Sequence, residues 1–579
     1  MLKDCLEVFK KMYEEHGDKL IIDSYTLSEG SYVLVKKDGS IEVLEVSKKD
    51  TDKTDRLYKY FAQRDYLSKL IDMNKPIDGK KIIHSNNYLS FFVKKENLQP
   101  DGRGSVKLTE EIIDKYYDIL INPRLKYKDK QKKSMYEKCE VKYGKIDESK
   151  LNTNKQWIKS NIFSLLERDD IKKDKNYLKV FFEEDVVRYS NENNKYIIPN
   201  IYNSTDFNIL INDKIYGLPN DNMGLNSKKP YLEQRSRKNT IPYLINEDEV
   251  LLQKKLFDFL MNNVSIGKRL VYVSDKIDCF ENGDRLKGKF TGYFMRLQKG
   301  KEVEIHDFDT VVNMNSKIKE FKVFKPIDID YSKAKQALEY NTTTDIKDVE
   351  MNISNVFFNK FLHTNYFTDA KDIKLNEGNL KEILIKNRES LFTWFYKGNI
   401  NGAKVNFSRY SLEIIKNSIL NSASRFSTKA AEQYNLRYSL LNYFNGGSNM
   451  GDILKNTKES LREKINSKET QSLQNDDEYY FAVGQIANYL ISLNKSGNKN
   501  HSLLNPILNT KNEAKLKEEI MKLFKKYNYA IKKDSKRFNN LYSMILAYNP
   551  ETKINEDLLL AGYLNSSLIY EKMEEKGNE

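Results

Sequence analysis

Apolar residues near the C-terminus recur at helical spacing in four successive segments between Asp476 and Ile569. A period near 3.6 residues predicts amphipathic helices. Thr510 and Glu513 have the spacing of a capping box, and Asn555 precedes the last apolar run. Because the connections are short, residues 450–579 are predicted to form an antiparallel helical bundle.

The first 330 residues show a different pattern. Residues 31–46 alternate as two β-rich runs about a Lys-Asp-Gly-Ser turn, which predicts a β-hairpin. Residues 270–273 and 288–297 also resemble strands, whereas residues 6–13 have helical spacing. We therefore predict an α+β protein with a mixed α/β region over 1–330. A helical connecting region over 331–445 and the all-α bundle follow.

The composition narrows the class of protein. The chain has 579 residues, with no apolar run long enough to cross a membrane. Its charged, amphipathic N-terminus is unlike a signal peptide. The three cysteines are far apart, which disfavours a disulfide framework or a cysteine-built zinc site. The sequence predicts a cytoplasmic protein without a metal or cofactor.

The charge indicates an anionic partner. The chain carries 97 Lys and Arg against 83 Asp and Glu, a net charge of +14. Each basic block taken alone is typical of an ordinary exposed surface, but several in one chain favour a groove that follows a phosphate backbone. The basic blocks span residues 124–133, 222–238, 283–301 and 495–537.

Residues 220–238 combine basic side chains with asparagines and Gly224. Lysine and arginine attract phosphates whatever the sequence, whereas asparagine amides can read base edges. Glycine lets a backbone approach a ligand closely. This segment predicts a nucleic-acid contact, with an ordinary basic loop as the alternative.

Catalytic motifs are hard to find in this chain. No phosphate-binding Gly-rich loop or nucleophile elbow is present. His306 and Asp307 form a His-Asp dipeptide like that of metal-dependent phosphohydrolases, but no second histidine follows at helical spacing. The sequence favours binding over catalysis, and a phosphohydrolase or nuclease stays as an alternative.

Six segments of the chain carry a family resemblance, and one of them reads Met223-Gly-Leu-Asn-Ser-Lys-Lys-Pro-Tyr231. The six are residues 71–77, 84–94, 223–231, 479–485, 537–541 and 555–563. Together they resemble the large subunit of the type I-B CRISPR Cascade effector complex (the Csh-type, "Cas-eight-b" family). Residues 130–200 carry little of the resemblance.

The resemblance implies a non-catalytic subunit that recognises the protospacer-adjacent motif in double-stranded DNA. It also implies that the subunit promotes R-loop formation, holds the displaced strand and provides a landing surface for the helicase-nuclease. The implied partners are guide RNA, target DNA, the Cascade backbone and guide-processing subunits, and a small subunit. A ribonucleoprotein scaffold without direct duplex contact is a further alternative.

The candidate contacts fall into two groups, and for Asn86 and Asn87 an equal alternative is that they shape a turn. The motif and duplex group comprises Asn86, Asn87, Asn222, Asn226, Lys228, Lys229, Arg235, Arg237 and Lys238. The group expected on an RNA or DNA backbone comprises Arg285, Lys287, Lys289, Arg296, Lys499, Lys525, Lys526, Lys532, Lys533 and Arg537.

Alternation within residues 285–301 predicts a strand with one cationic face. Lys287, Lys289, Thr291 and Tyr293 share that face, and Phe290 and Phe294 lie partly opposite. Such a hairpin could follow a phosphate backbone. The alternative is an exposed edge strand whose lysines prevent aggregation.

Met450 directly follows a linker-like segment, residues 445–449, and precedes the bundle. We predict that translation also starts at Met450 and yields a 130-residue small subunit, since the codons of Gly446 and Gly447 can encode a purine-rich initiation signal. An equal alternative is that these glycines form only a flexible hinge and that Met450 is an ordinary residue. We expect a C-terminal polypeptide that co-purifies with the complex, and we expect a synonymous change of those codons, or Met450→Leu, to abolish it. A fragment that persists after both changes, or is absent from the unmodified gene, contradicts this start.

Overall fold

A computed structural model describes most of the chain, and its architecture is mixed. About 53% of it is helical and 16% is strand, with the sheets in the N-terminal half and helices in the C-terminal half. The predicted α+β class is therefore confirmed. The described residues are 2–47, 51–100, 102, 104–202, 205–219, 244–300, 302–329, 341–422, 427–446, 451–494, 501–532 and 534–571.

The chain divides into two compact units. The first contains Met1–Glu281 and Tyr293–Asp309, and the second contains Asn282–Gly292 and Thr310–Glu579. The sequence-based boundaries at residues 330 and 445 both fall within the second unit.

The first unit is built around a four-stranded sheet in the order β2-β1-β4-β3. The central strands β1 and β4 run parallel, and β2 and β3 pair antiparallel at the edges. The β1–β2 pair confirms the predicted hairpin, whose turn contains Gly39 at a φ of 84°. The strands are β1 (Gly30–Val35), β2 (Ile41–Val46), β3 (Ser90–Lys94) and β4 (Tyr177–Phe182).

The first unit also contains helices, and two smaller sheets follow the main sheet along the chain. The helices are α1 (Leu2–His16), α2 (Lys19–Ile22), α3 (Arg56–Ser68), α4 (Glu110–Ile121), α5 (Lys130–Tyr143), α6 (Glu148–Asn161), α7 (Val186–Ile197) and α8 (Glu247–Ser265). The first small sheet contains β5 (Ile209–Ile211), β6 (Lys214–Gly217) and β7 (Ile245–Asn246). The second has the order β11-β10-β8-β9, with β8 (Lys268–Val273), β9 (Ile277–Glu281), β10 (Lys289–Lys299) and β11 (Val303–Asn315).

A buried ion pair joins the main sheet of the first unit to α3. The Lys179 ammonium on β4 lies 2.6 Å from the Asp65 carboxylate, and both residues are buried. Asp65 also accepts a hydrogen bond from the Tyr25 hydroxyl at 2.5 Å. Burial lowers the pKa of Lys179, but Asp65 and Tyr32 outweigh that effect and raise it above its ordinary value. The lysine therefore stays charged, and its charge is matched inside the core.

The second unit is mainly helical and contains a two-stranded sheet. That sheet pairs β12 (Lys317–Phe321) with β13 (Thr343–Asp345). The first helices after it are α9 (Ile346–Phe358), α10 (Gly378–Lys397), α11 (Asn401–Leu420) and α12 (Thr428–Phe444). The bundle contains α13 (Gly451–Asn466), α14 (Asp476–Ser492), α15 (Asn505–Asn509), α16 (Glu513–Tyr527), α17 (Lys536–Ala547) and α18 (Glu556–Leu564).

The bundle is tied to the helix that precedes it. The buried Arg437 guanidinium on α12 binds Asp557 on α18 through two hydrogen bonds of 2.8 and 2.9 Å. Lys416 on α11 pairs with Glu556 at 2.7 Å. Met450 itself lies outside the described residues. In the full chain the bundle thus shares ion pairs with α11 and α12.

Two glycines set the close crossing of α14 and α18. A Cβ on Gly484 would overlap the Leu559 carbonyl oxygen and lie 2.6 Å from the Tyr563 nitrogen. A Cβ on Gly562 would overlap the Phe481 carbonyl oxygen in the same way. Since these neighbours are backbone atoms, neither side can yield without moving a helix.

Gly484→Ala is expected to destabilise the protein despite alanine's higher helix propensity. Overpacking costs about 1–3 kcal/mol, against a propensity gain of about 1 kcal/mol. Gly402→Ala on α11 is the matched control, because its Cβ would lie 3.4 Å from the Ser390 side chain. Urea denaturation measures the free energy of unfolding of both variants. A Gly484→Ala protein as stable as Gly402→Ala would contradict the close crossing.

Candidate nucleic-acid interface

Asn86 and Asn87 lie inside the first unit. Their exposed fractions are 2% and 1%. The Asn86 amide donates to the Lys69 carbonyl at 2.7 Å and to the Asn193 side chain at 2.9 Å. Asn87 accepts from the Leu89 backbone N–H at 2.9 Å and donates to Asn86 at 2.7 Å. The contact of Asn87 with Leu89 is a local one, as the turn-shaping alternative expects, whereas Asn86 bonds to segments distant in sequence. In this conformation neither amide is available to a base.

The neighbouring His84 is also committed to internal contacts. Its Nε2–H donates to the Lys81 carbonyl at 2.9 Å, which leaves Nδ1 to accept from the Tyr177 hydroxyl at 2.7 Å. Burial lowers the pKa of His84 below its ordinary value. A neutral imidazole fits both contacts, so this segment is part of the core.

Arg285 corrects the prediction of a backbone contact at that position. It is buried and forms an ion pair with the buried Glu350 of α9. It also donates to the Phe395 carbonyl at 3.1 Å and lies over the Tyr396 ring at 4.6 Å. Burial opposes its charge, but Glu350 outweighs that effect and raises the pKa of Arg285. Arg285 anchors the chain just before β10.

The predicted alternation in β10 is confirmed at its start. Lys289 and Thr291 are exposed, whereas Phe290 and Phe294 are buried. Lys287, which precedes the strand, is exposed as well. This part of β10 therefore presents lysines on one face and packs phenylalanines on the other.

A second pair of lysines lies near Lys287 and Lys289 because of a contact between two backbone segments. The Ser316 N–H donates to the Gly288 carbonyl at 3.0 Å, and the Gly288 N–H donates to Ser316 Oγ at 2.7 Å. Gly288 directly precedes β10, and Ser316 separates β11 from β12. Lys287 and Lys289 flank Gly288, and Lys317 and Lys319 follow Ser316, so these hydrogen bonds bring the two pairs near each other. We call these four exposed residues the strand-base lysine cluster.

The cluster holds like charges together with little internal compensation. Within the described residues, none of the four ammonium groups forms an ion pair. Asp345 is the cross-strand partner of Lys317, but its carboxylate caps α9 by accepting from the Lys347 N–H at 2.8 Å. Positive charges that lie near one another repel, and an anion bound beside the cluster would offset that repulsion.

A second basic surface surrounds the connection between α16 and α17. Lys525 and Lys526 end α16, Lys532 lies in the connection, and Lys536 begins α17; all are exposed. Tyr529, between them, is 70% exposed. Cations beside an exposed aromatic ring are typical of single-stranded nucleic-acid binding, although lysines at a helix C-terminus also stabilise the helix dipole. We call these five residues the C-terminal basic surface.

Two other predicted contacts are partly or wholly internal. Arg296 is buried within β10. Arg537 donates to the Asn466 side chain at 2.6 Å and to the Glu571 carbonyl. Neither side chain belongs to an exposed cationic surface. The predicted contacts that lie outside the described residues are Asn222, Asn226, Lys228, Lys229, Arg235, Arg237, Lys238, Lys499 and Lys533.

The His306-Asp307 dipeptide lies on β11. Successive strand residues point to opposite faces, so the two side chains do not converge on one ion. His306 instead contacts the Glu304 carboxylate at 3.0 Å. Across the part of the chain that the structure describes, no group of three or more potential ligands is placed to hold a metal. Over the same residues, no helix has the length and apolarity to cross a bilayer.

Lys317, Lys319, Tyr529 and Lys536 were not among the predicted contacts. The alternation of Lys317 and Lys319 was a usable signal. The proximity of these two lysines to Lys287, however, depends on the contact between Gly288 and Ser316, which the sequence does not define. Comparison with protein families, curated proteins and solved structures finds no match to this chain.

Asn87→Ala is expected to reduce stability. The change leaves the buried Leu89 N–H and the side-chain amide oxygen of Asn86 without their hydrogen bonds to Asn87. Each unsatisfied group lowers the free energy of unfolding by roughly 1–3 kcal/mol. Asn152→Ala, at an exposed position of α6, is the control and is expected to change little. Urea denaturation compares the free energies of unfolding of the two variants. If Asn87→Ala is as stable as the control, the buried amide network is incorrect.

Proposed function

We propose that this chain is the large, non-catalytic subunit of a type I-B CRISPR Cascade surveillance complex. In this role it recognises the protospacer-adjacent motif in double-stranded DNA and promotes R-loop formation. It then holds the displaced strand and provides a surface for the helicase-nuclease. Target sequence is read by pairing with the guide RNA, so the protein needs only motif and backbone contacts. The resemblance of six sequence segments to that family supports the assignment.

The strand-base lysine cluster is the observation that carries the proposal. Its four lysines are exposed, lie near the contact of Gly288 with Ser316 and form no ion pair within the described residues, so an anion bound beside them would reduce the repulsion between their charges. A nucleic-acid backbone supplies phosphates at regular spacing and releases counterions when lysines neutralise them. A phosphate backbone, of the target duplex or of the guide handle, is therefore the ligand we assign to this cluster.

The C-terminal basic surface suits a single strand. Tyr529 offers a ring on which a base can stack, and the lysines on either side can follow the sugar-phosphate backbone. Such contacts tolerate any sequence, as a displaced strand requires. We assign the displaced strand to this surface.

Motif reading is assigned to the segment that contains Asn222 and Asn226. With Asn86 and Asn87 buried, these are the remaining amides of the predicted motif group. Lys228 and Lys229 would hold the adjacent phosphates. The protein would act in the cytoplasm, with guide RNA, Cascade backbone and guide-processing subunits, and a small subunit translated from Met450 as its partners.

The test uses the complex assembled with its guide RNA and subunits. Simultaneous Lys287→Ala, Lys289→Ala and Lys317→Ala substitutions are expected to weaken binding of motif and non-motif duplexes alike. Each phosphate contact contributes about 0.9 to the salt slope on duplex DNA, so the slope should fall by roughly 2–3. Lys371→Ala, Lys374→Ala and Lys455→Ala together form the matched control, since these exposed lysines remove the same charge elsewhere.

Three outcomes are decisive. An unchanged salt slope in the cluster variant would remove the cluster from the interface. A complex that binds motif and non-motif duplexes equally would contradict motif recognition and favour the scaffold alternative. Nucleic-acid cleavage by the purified chain with manganese, lost on His306→Ala, would favour a nuclease. Arg285 is left intact, because its removal would strand the buried Glu350 charge.

A further inference from the structure

A cleft of about 690 Å³ lies in the second unit, at one end of the helices α10, α11 and α12. At this end α10 and α12 begin and α11 finishes. The volume falls within the range of small-ligand sites, which is roughly 300–1,000 Å³. The two basic surfaces described above lie on other elements, so they give the cleft no role.

The floor of the cleft is apolar. Leu380 and Ile383 of α10 are buried, and so is Ile414 of α11. Aliphatic side chains of this kind pack against the flat face of a ring, but they offer it no hydrogen bond. Specificity for a ligand must therefore come from the walls.

Three asparagines line the walls of the cleft. Asn379 belongs to the first turn of α10, whereas Asn417 and Asn421 lie one turn apart at the end of α11. Asn417 is half-buried, and the other two are exposed. Within the described residues, the side-chain amides of these three form no hydrogen bond. Each amide therefore has a donor and an acceptor side by side for a ligand.

The charges along the cleft balance each other. Among the described residues that line it, Glu377 and Lys429 are the charged ones. The Glu377 carboxylate accepts from the Asn359 side chain at 3.4 Å, and Lys429 is exposed. With one acid and one base, the cleft suits a neutral group that carries both donors and acceptors.

Ser427 holds the junction between α11 and α12. Its hydroxyl donates to the Ser418 carbonyl at 3.3 Å and accepts from the Ala430 N–H at 3.3 Å, which caps α12. This wall is thus fixed before a ligand arrives, and a preorganised wall lowers the entropic cost of binding.

We propose that this cleft binds an unpaired nucleobase and prefers adenine. The ring lies on the aliphatic floor, and the Asn417 amide faces its edge. An asparagine amide matches adenine with two hydrogen bonds, because it donates to N7 and accepts from the N6 amino group. Asn417 has this role among the three asparagines because its partial burial restricts the amide and reduces competition from water.

The choice of a base among neutral ligands rests on the proposed nucleic-acid function. An opened duplex and a guide RNA both supply unpaired bases, and a free nucleotide carries the same chemistry. A peptide main chain also offers donors and acceptors, but it has no flat ring to cover the floor. The cleft is too small for a duplex, so it takes a base that has left its pair.

The test uses the isolated full chain and uncharged nucleosides, to which the basic surfaces contribute little. Saturation-transfer NMR compares adenosine with inosine, in which a carbonyl replaces the N6 amino group. We expect adenosine to bind at least about fivefold more tightly than inosine, since inosine cannot donate to the amide oxygen. N-acetylalanine methylamide is the probe for a peptide main chain, and we expect adenosine to bind in preference to it.

Asn417→Asp tests the reading residue. A carboxylate accepts from an amino group but cannot donate to N7, so adenosine should bind at least about fivefold more weakly, whereas cytidine should gain through its N4 amino group. Asn406→Asp, at an exposed position of the same helix, is the matched control. A purely structural role for Asn417 would not shift the preference from one base to another. Thermal unfolding checks that both variants remain folded.

Twelve-nucleotide single strands distinguish the two sources of the base. One strand contains thymidine throughout, and the other has a single central adenosine. Tighter binding of the adenosine-containing strand assigns the site to a base within a strand. A preference confined to adenosine and its monophosphate assigns it to a free nucleotide. Either result supports the cleft as a base site, because the chemistry of the base is shared.

Equal binding of adenosine and inosine would overturn the proposal, and so would an unchanged adenosine affinity in Asn417→Asp. Absence of nucleoside binding up to about 1 mM, or tighter binding of the peptide probe, would do the same. Photocrosslinks of 8-azidoadenosine are expected on α10 or α11, and labelling confined to other elements would contradict the site. None of these measurements uses the salt slope of DNA binding, so this proposal and the proposed function fail separately.

Discussion

The buried ion pair between Arg285 and Glu350 is the contact on which the candidate interface depends. It holds the chain immediately before β10 against α9, and the Tyr366 hydroxyl completes it by donating to Glu350 at 2.6 Å. Burying two charges is costly unless both are paired and hydrogen-bonded, as they are here. Lys287 and Lys289 follow directly after this fixed position, and the hydrogen bonds between Gly288 and Ser316 place them near Lys317 and Lys319.

Burial distinguishes polar residues that stabilise the fold from those that can contact a ligand, as the asparagines and lysines of this protein illustrate. Asn86 and Asn87 have the chemistry of base readers, but every contact the structure gives their side chains is internal. The four lysines of the strand-base cluster are chemically less specific, yet all four are exposed. Affinity for a phosphate backbone needs charge density and position rather than base-edge recognition. The exposed lysines are therefore the better candidates for a backbone contact.

Much of the fold could be predicted from the sequence, because local patterns determine local elements. The hairpin at residues 31–46 and the helices after Asp476 follow from periodicity and caps within a few residues of each other. The candidate site, in contrast, depends on contacts between residues that are far apart in the sequence. Arg285 looked like its lysine neighbours in sequence, and only the packing of α9 shows that it has a buried carboxylate partner. Lys317 comes near Lys287 through the contact of Gly288 with Ser316, which no local pattern defines.

The same distinction applies to the C-terminal bundle. The close crossing of α14 and α18 uses Gly484 and Gly562, which both belong to residues 450–579, so a fragment starting at Met450 keeps it. Such a fragment loses Arg437 and Lys416, the partners of Asp557 and Glu556. Those two acids occupy the first turn of α18, where the helix dipole favours negative charge and Asn555 caps the Leu558 N–H at 3.2 Å. The helix can therefore retain both charges in water, and its surface that faces α12 becomes available for another contact.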